Sequence, residues 1–212
     1  MAQISGADVG KVKAITDAGM SGGLPIDKSL EKRLSLMKLT KAHIEKATKI
    51  LKKNINPSIQ KHKNQIKKLN AVIVSSGFHE CIDPIAKILG FKKVYANKFT
   101  YDSAGNVTGF DKKNPLSKPK GKVEVCRSLG KDVYIIGDGA TDLEVFESGA
   151  ASRFYYYAES VLRENVASKA YKTVYGLDEI LSENELPTRY SFPRSKLRVL
   201  LLEGIDKNAI KT

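Results

Sequence analysis

The sequence predicts an α/β fold, a mostly parallel, Rossmann-like sheet preceded by a helical segment. Three observations carry this. Two short apolar runs rich in β-branched residues, Ala71–Val74 and Val133–Ile136, each end in a polar turn containing glycine. Helical periodicity fills the stretches before and between them. Strands that alternate with helices build βαβ units, and the strands of such units lie parallel. The 212 residues suit one domain, or one domain with a small insertion.

Each element has its own warrant. Residues 1–14 read as a helix lead-in, and residues 9–70 as helical. Thr40 is an N-cap residue before KAHIEKATKILKKN, where Ile44, Ala47 and Leu51 share a face. Asn56-Pro57 starts another helix, with Ile59, Ile66 and Leu69 spaced for one buried stripe. Ala71–Val74 is then a strand, and Ser75-Ser76-Gly77 a tight turn after it. Phe78 to Leu89 forms a helix that Gly90 stops. Val94–Ala96 is a strand. Phe99–Tyr101 and Val107–Phe110 flank the turn residues Asp102–Asn106 as a hairpin. Pro119 to Leu129 is helical, Val133–Ile136 is a strand, and a helix follows from about Thr141. Arg153–Tyr157 is a further strand and Leu177–Leu181 a short helix. Residues 186–196 hold two prolines and no periodicity, as a linker does, and Leu197–Leu202 is one more apolar strand. The expected division is therefore 1–70 for the cap and adjoining helices, 71–185 for the core, and 186–212 for the linker and last strand.

Composition removes several classes of function. At 42% hydrophobic and 28% charged, the chain can bury a core. No apolar run approaches the ~20 residues of a membrane helix, and no signal-peptide pattern opens the chain. Cys81 and Cys126 are the two cysteines, too few for a disulfide framework, so a cytoplasmic location is expected. The formal charge of +13 points toward nucleic acid or an anionic membrane. Its distribution argues otherwise. Residues 27–70 carry 13 basic against three acidic side chains, and residues 71–212 carry 21 against 18. The excess coats one helical segment, and no nucleic-acid-binding motif accompanies it.

Two polar turns sit at strand ends, where open parallel sheets bind ligands. In Gly137-Asp138-Gly139-Ala140-Thr141-Asp142, two carboxylates surround one turn. Such hard oxygen donors suit Mg²⁺, which takes one or two carboxylates plus a phosphate. An ordinary turn followed by an acidic residue at a helix N-terminus has the same appearance. At the other turn, the Ser75 hydroxyl and the amides of Ser76 and Gly77 offer donors to a phosphate oxygen. Lys122, after Gly121, can neutralise another as a point charge. Lys118 and Lys120 compete with it for that role.

The order of these features is strand-Ser, Lys, then strand-GDGxxD. It resembles motifs II, III and IV of the haloacid dehalogenase superfamily, and more narrowly its phosphoserine phosphatases. The similarity runs from Ile15 to Leu181. It includes VSSGF (Val74–Phe78), the YANKF hairpin and TGFD (Tyr95–Asp111), GKVEV (Gly121–Val125) and GDGATDLE (Gly137–Glu144). ITDAGMSGGLPIDKSLEKRLSL (Ile15–Leu36) resembles the family's cap. The resemblance implies Mg²⁺-dependent hydrolysis of the small phosphomonoester phosphoserine, with no nucleic-acid or membrane partner. It gives Asp138 to the metal, and Asp142 and Lys122 to catalysis. Ser75, Ser76, Gly77, Lys122 and Thr141 bind phosphate. Met20 and Arg33, 13 residues apart, line the substrate pocket, and Arg33 meets the carboxylate. Ile26 replaces the family's usual Phe. Arg163 matches a basic position only weakly.

One part of the pattern is missing. The family's motif I, DxDx[TV], lies on a strand ahead of the cap and supplies the attacking Asp and the general acid–base Asp. No Asp-x-Asp occurs in these 212 residues. Loss of a nucleophile costs roughly a million-fold in rate. The expectation is thus a truncated or impaired enzyme, with a non-catalytic phosphate- or phosphoserine-binding remnant, or a basic nucleic-acid-binding protein, as the alternatives. KLRVLLLEGIDKNAI (Lys196–Ile210) resembles the opening strand of D-3-phosphoglycerate dehydrogenase. That suggests a fusion to, or association with, such a dehydrogenase. Leu197–Leu202 is expected to fill the place of the motif I strand, between the Val72 and Ile135 strands. Glu203 and Asp206 have the wrong spacing to replace its carboxylates.

Overall fold

A computed structural model describes residues 1–69, 71–130, 132–182 and the backbone of 197–201. Six parallel strands form the main sheet: β1 (Ala71–Phe78), β2 (Val94–Asn97), β5 (Asp132–Gly137), β6 (Arg153–Tyr157), β7 (Lys172–Val174) and β8 (Leu197–Leu201). Their order is β2-β1-β8-β5-β6-β7. The short strands β3 (Phe99–Tyr101) and β4 (Val107–Phe110) make the expected antiparallel hairpin. Eleven helices accompany these strands among the described residues. They are α1 (Ala2–Ser5), α2 (Val9–Met20), α3 (Ile26–Leu36), α4 (Lys41–Lys53), α5 (Pro57–Lys61), α6 (Lys63–Ile66), α7 (His79–Leu89), α8 (Gly121–Leu129), α9 (Ala140–Glu147), α10 (Glu164–Ala167) and α11 (Leu177–Ser182).

The helix ends follow local chemistry. Thr40 caps α4, its hydroxyl accepting from the His43 amide at 3.3 Å. Gly90 ends α7 in the left-handed conformation, φ 83°. Residue alternation on the strands divides the core. Val72, Val74, Val133, Ile135, Phe154 and Tyr156 face α8 and α9. Ala71, Ile136, Tyr155 and Tyr157 face the opposite way, against Ile59, Ile66, Ile85 and Leu177. A third cluster joins the cap helices to the hairpin, with Leu30, Leu39 and Ile44 against Phe78, Phe99 and Phe110.

Three sequence expectations change. β1 does not stop at Val74. It runs on through Ser75-Ser76-Gly77 to Phe78, with an irregular register before Phe78 pairs with Asn97. The pairing with β2 overrides the turn propensity of Ser and Gly. The helix expected from Pro119 begins at Gly121, because Lys118 to Gly121 is a turn closed by the Gly121 amide on the Lys118 carbonyl at 3.1 Å. Strand β7 and helix α10 are additions, too short to carry a periodic signal.

The central strand is the one furthest along the chain. β8 pairs with β5 over five residues, Asp132↔Leu197 to Ile136↔Leu201, and with β1 at Ala71↔Val199 and Val72↔Leu200. Leu200 therefore lies between Val72 and Ile135, where the sequence reading put this strand. The 186–196 linker and the Glu203–Asp206 carboxylates lie outside the described residues.

Candidate active site

From the middle of the sheet the chain winds two ways, β1 outward to β2, and β5 outward to β6 and β7. Such a switch point leaves a crevice at the carboxyl ends of the strands. There the structure has a cavity of about 350 Å³. Its cap side is Gly19, Gly22, Leu24, Pro25 and Ile26, and its core side includes Ser76, Lys122 and Thr141.

Two segments bring the polar groups together. In β1, three residues before its end, Ser75 is buried, and its hydroxyl oxygen accepts from the Gly77 amide at 3.0 Å. At the end of β5, Asp138 is 5% exposed and α9 begins two residues later. Gly121 lets α8 start close to the preceding turn, since a Cβ there would lie 1.8 Å from the Pro115 carbonyl oxygen. Lys122 thereby enters the interior.

Asp142 and Lys122 form a closed pair. Lys122 Nζ donates to Asp142 Oδ1 at 2.7 Å, with side-chain exposures of 4% and 1%. The other carboxylate oxygen of Asp142 accepts from the Gly139 amide at 3.0 Å. Both oxygens are thus engaged, and Asp142 fixes both the lysine and the α9 N-terminus. Asp138 takes a different partner. Arg163 Nη1 lies 2.9 Å from Asp138 Oδ2 and 3.1 Å from the Asp138 carbonyl oxygen. Burial works against the Arg163 charge, but the Asp138 carboxylate outweighs it and raises the pKa of the guanidinium. Tyr156 accepts from the Arg163 amide at 2.7 Å, and burial raises its pKa.

Asp138 also tests the magnesium assignment. Its carboxylate is a hard oxygen donor, buried at the end of β5 behind the cavity lining, and Mg²⁺ uses as few as one carboxylate beside phosphate and water. Asp138 fits as that ligand. Among the described residues no group of three or more His, Cys, Asp or Glu side chains forms a metal cluster. Burial pushes the Cys126 thiol up to about 12, Lys122 pulling it down and Asp142 raising it.

The predicted site residues divide by position. Ser76, Lys122 and Thr141 line the cavity. Ser75, Gly77, Asp138 and Asp142 stand behind them, at the strand ends and in the α9 turn. Met20 closes on the core from the cap, for a Cβ on Gly139 would lie 2.7 Å from its Cε. Arg33 is half-buried on α3, its Nε donating to the Ser29 carbonyl at 3.2 Å, and is not among the cavity-lining residues. Sequence reasoning gave Arg163 little weight and missed Asn97. Asn97 is fully buried, and its amide nitrogen donates to the Ser76 and Leu116 carbonyls. An Asn ending an apolar strand was the available signal.

The family described as haloacid dehalogenase-like hydrolase matches residues 12–147. The chloroplastic phosphoserine phosphatase of Arabidopsis thaliana is 32% identical over 176 residues, covering 79% of this chain and 60% of that protein's length. The phosphoserine phosphatase of Methanocaldococcus jannaschii is 31% identical over 166 residues, covering 73% and 75%. Among solved structures, a phosphoserine phosphohydrolase-like protein from Francisella tularensis subsp. tularensis aligns with a TM-score of 0.77 at 28% identity, covering 86% of this chain and 88% of that one.

Proposed function

The chain belongs to the haloacid dehalogenase-like hydrolase family, and on that premise we propose that its cavity takes phosphoserine as a phosphomonoester substrate. One observation carries the reading. A buried lysine, Lys122, is held at 2.7 Å by a buried carboxylate and also lines the crevice at the sheet's switch point. A desolvated cation positioned this way costs free energy that an incoming phosphate oxygen helps to offset.

In this reading Asp142 orients Lys122. Lys122, the Ser75 and Thr141 hydroxyls and the amides around Ser76 and Gly77 bind the phosphate oxygens. Met20 and the Leu24–Ile26 wall exclude water. Asp138 would hold Mg²⁺, which when bound supplies positive charge against the phosphate. Arg163 keeps the Asp138 carboxylate aimed at the site. For the substrate carboxylate the family resemblance offers Arg33. Association with a phosphoglycerate dehydrogenase stays a proposal resting on the Lys196–Ile210 resemblance.

These 212 residues contain no Asp-x-Asp. That favours a second reading, phosphoserine binding without efficient turnover. The deciding experiment measures phosphoserine binding by calorimetry and phosphate release with and without Mg²⁺. We expect binding that Lys122→Ala removes, and turnover roughly a million-fold below that of enzymes that carry the Asp-x-Asp motif. Turnover near theirs refutes the impairment, and binding indifferent to Lys122→Ala refutes the site.

A further inference from the structure

The pairing of β1 with β2 is interrupted beside the cavity. It is regular at Ile73↔Val94 and Val74↔Tyr95 and resumes at Phe78↔Asn97, so Ser75, Ser76 and Gly77 stand against the single residue Ala96. Irregularities of this kind re-aim side chains and collect next to active sites. Here a side chain enters the interrupted ladder. Asn97, the last residue of β2 and 0% exposed, donates from Nδ2 to the Ser76 carbonyl at 2.9 Å. The same nitrogen donates to the Leu116 carbonyl at 3.3 Å. Both of its protons are thus engaged, which leaves the amide one orientation. A second asparagine ties the Leu116 turn to the same strand end. Asn114 donates from Nδ2 to the Ala96 carbonyl at 2.7 Å, and its Oδ1 accepts from the Leu116 amide at 2.9 Å.

The consequence reaches Ser75. A trans peptide is planar, and its carbonyl and N–H point in opposite directions. Asn97 grips the Ser76–Gly77 peptide by the carbonyl oxygen, and the N–H at the other end donates to Ser75 Oγ at 3.0 Å. With the peptide held, the Ser75 hydroxyl is held too. A hydroxyl that accepts along one direction keeps its single proton to donate along another. Ser75 is itself buried, and hydrogen bonds in series polarise one another in such a low-dielectric setting. The arrangement carries a cost. Asn97 Oδ1 is buried with no hydrogen-bond partner among the described residues, and a buried unpaired acceptor is destabilising.

We propose that Asn97 is a positioning residue of the phosphate site, which acts through the Ser76–Gly77 peptide to aim the Ser75 hydroxyl proton at a phosphate oxygen. Asn97 is not among the cavity-lining residues, so it works without touching the ligand. This rests on the phosphomonoester reading above, in which Ser75 binds the phosphate.

The test titrates the full chain with inorganic phosphate by calorimetry and follows the Gly77 amide resonance by NMR, where each variant's circular dichroism is native. Asn97→Leu removes the donor, and Asn97→Asp keeps the shape with at most one donor. Ser75→Ala and the double variant Ser75→Ala/Asn97→Leu complete a cycle. Ile180→Ala is the control, since Ile180 is fully buried in the cluster of Ile59, Tyr155 and Leu177 and does not line the cavity. We expect phosphate to move the Gly77 resonance of the unmodified chain, and Asn97→Leu to weaken phosphate about tenfold, the worth of one well-aligned hydrogen bond. Asn97→Asp should weaken it less. Ser75→Ala should lose as much as Asn97→Leu, and the double variant at most about twofold more, because the two residues act in series. A purely structural role predicts a lower Tm, losses that add in the double variant, and losses that Ile180→Ala reproduces. The proposal is overturned by any of these affinity patterns, by a Gly77 resonance that phosphate leaves unmoved, or by full phosphate affinity in Asn97→Leu. Should Asn97→Leu fail to fold, Asn97→Asp is judged by the same criteria. Phosphate binding that Lys122→Ala removes and the Asn97 variants leave intact overturns this proposal and spares the phosphate site. Failure of the unmodified chain to bind phosphate overturns both.

Discussion

Replacing Lys122 with methionine isolates the energetics of the buried pair. The lysine and Asp142 lie 2.7 Å apart with side-chain exposures of 4% and 1%, so neither charge reaches bulk water. Methionine keeps most of the side-chain volume and removes the charge. It leaves Asp142 as a buried carboxylate that accepts from the neutral Gly139 amide. Removing one member of such a pair costs about 3–5 kcal/mol, a large share of the 5–15 kcal/mol that holds a typical domain together. For a chain of this size the drop in Tm should be about 10 °C. Asp142→Asn preserves an acceptor for the Gly139 amide and strands the lysine instead, at about 2–4 kcal/mol. The double variant Lys122→Met/Asp142→Asn buries no charge and should cost only about 1–2 kcal/mol. Urea unfolding followed by circular dichroism gives all three values, and the cycle gives a coupling of several kcal/mol. Additive losses, or single losses below about 1 kcal/mol, would refute the buried pair. Phosphate binding supplies the other half of the test. The double variant should recover stability without recovering binding, because the cation is still missing.

Three further outcomes follow from the same geometry. Gly121→Ala sets a Cβ 1.8 Å from the Pro115 carbonyl oxygen, and should cost about 3 kcal/mol or more in thermal unfolding, backbone being unable to yield as a side chain would. Ending the chain before Leu197 strips β5 of five paired residues and β1 of two. At about 1 kcal/mol per lost hydrogen bond this approaches the stability of a typical domain, so the cooperative urea transition should be lost; an unchanged midpoint would refute β8's place. Alkaline pH should also destabilise the protein. Burial holds the Cys126 thiol at about 12 against an ordinary 9.0, and raises Tyr156 and Tyr157 as well. Above pH 9 the unfolded chain releases protons that the folded state keeps, so stability falls until the folded groups titrate, by about 1.4 kcal/mol per pH unit for each fully shifted group. Urea midpoints that stay level from pH 8 to 11, or a slope untouched by Cys126→Ala, would contradict this.

What the sequence made legible was local. Thr40 and Gly90 announce helix ends because a cap needs only its own few residues. The unbroken apolar run Val133–Ile136 shows a strand buried on both faces, because successive side chains on a strand point to opposite faces. The GDGxxD turn was readable because it follows a strand end. What escaped depends on partners far along the chain. The extension of β1 through Ser75-Ser76-Gly77 comes from pairing that carries Phe78 to Asn97. The Arg163 contact with Asp138 spans 25 residues, and a single arginine in a loop gives no sign of it. Arg33 shows the reverse problem, since resemblance gives it a role while the cavity is lined by other residues.

The central strand connects fold and chemistry. Ser75 and Asp138 reach the crevice because β1 and β5 run parallel and end at the same edge of the sheet. Yet those two strands are not paired with each other. β8 lies between them, parallel to both, and its last residue, Leu201, is level with Ile136, two positions before Asp138. The distance from the Ser75 turn to the Asp138 turn is therefore set by a strand nearly 60 residues beyond the second of them. Adjacent strands are spaced by about 4.8 Å, so one intervening strand separates the two turns by about 10 Å, enough for a phosphate to be held from both sides. Direct β1–β5 pairing would halve that gap. The width of the site is thus a property of the six-stranded order, and a variant that weakens β8 should loosen phosphate binding before it unfolds the chain. Leu200→Pro, which removes a donor from the middle of the strand, can be read by phosphate affinity at a temperature where its circular dichroism is still native. Full affinity retained in that variant would show that the two turns are held by something other than the strand between them.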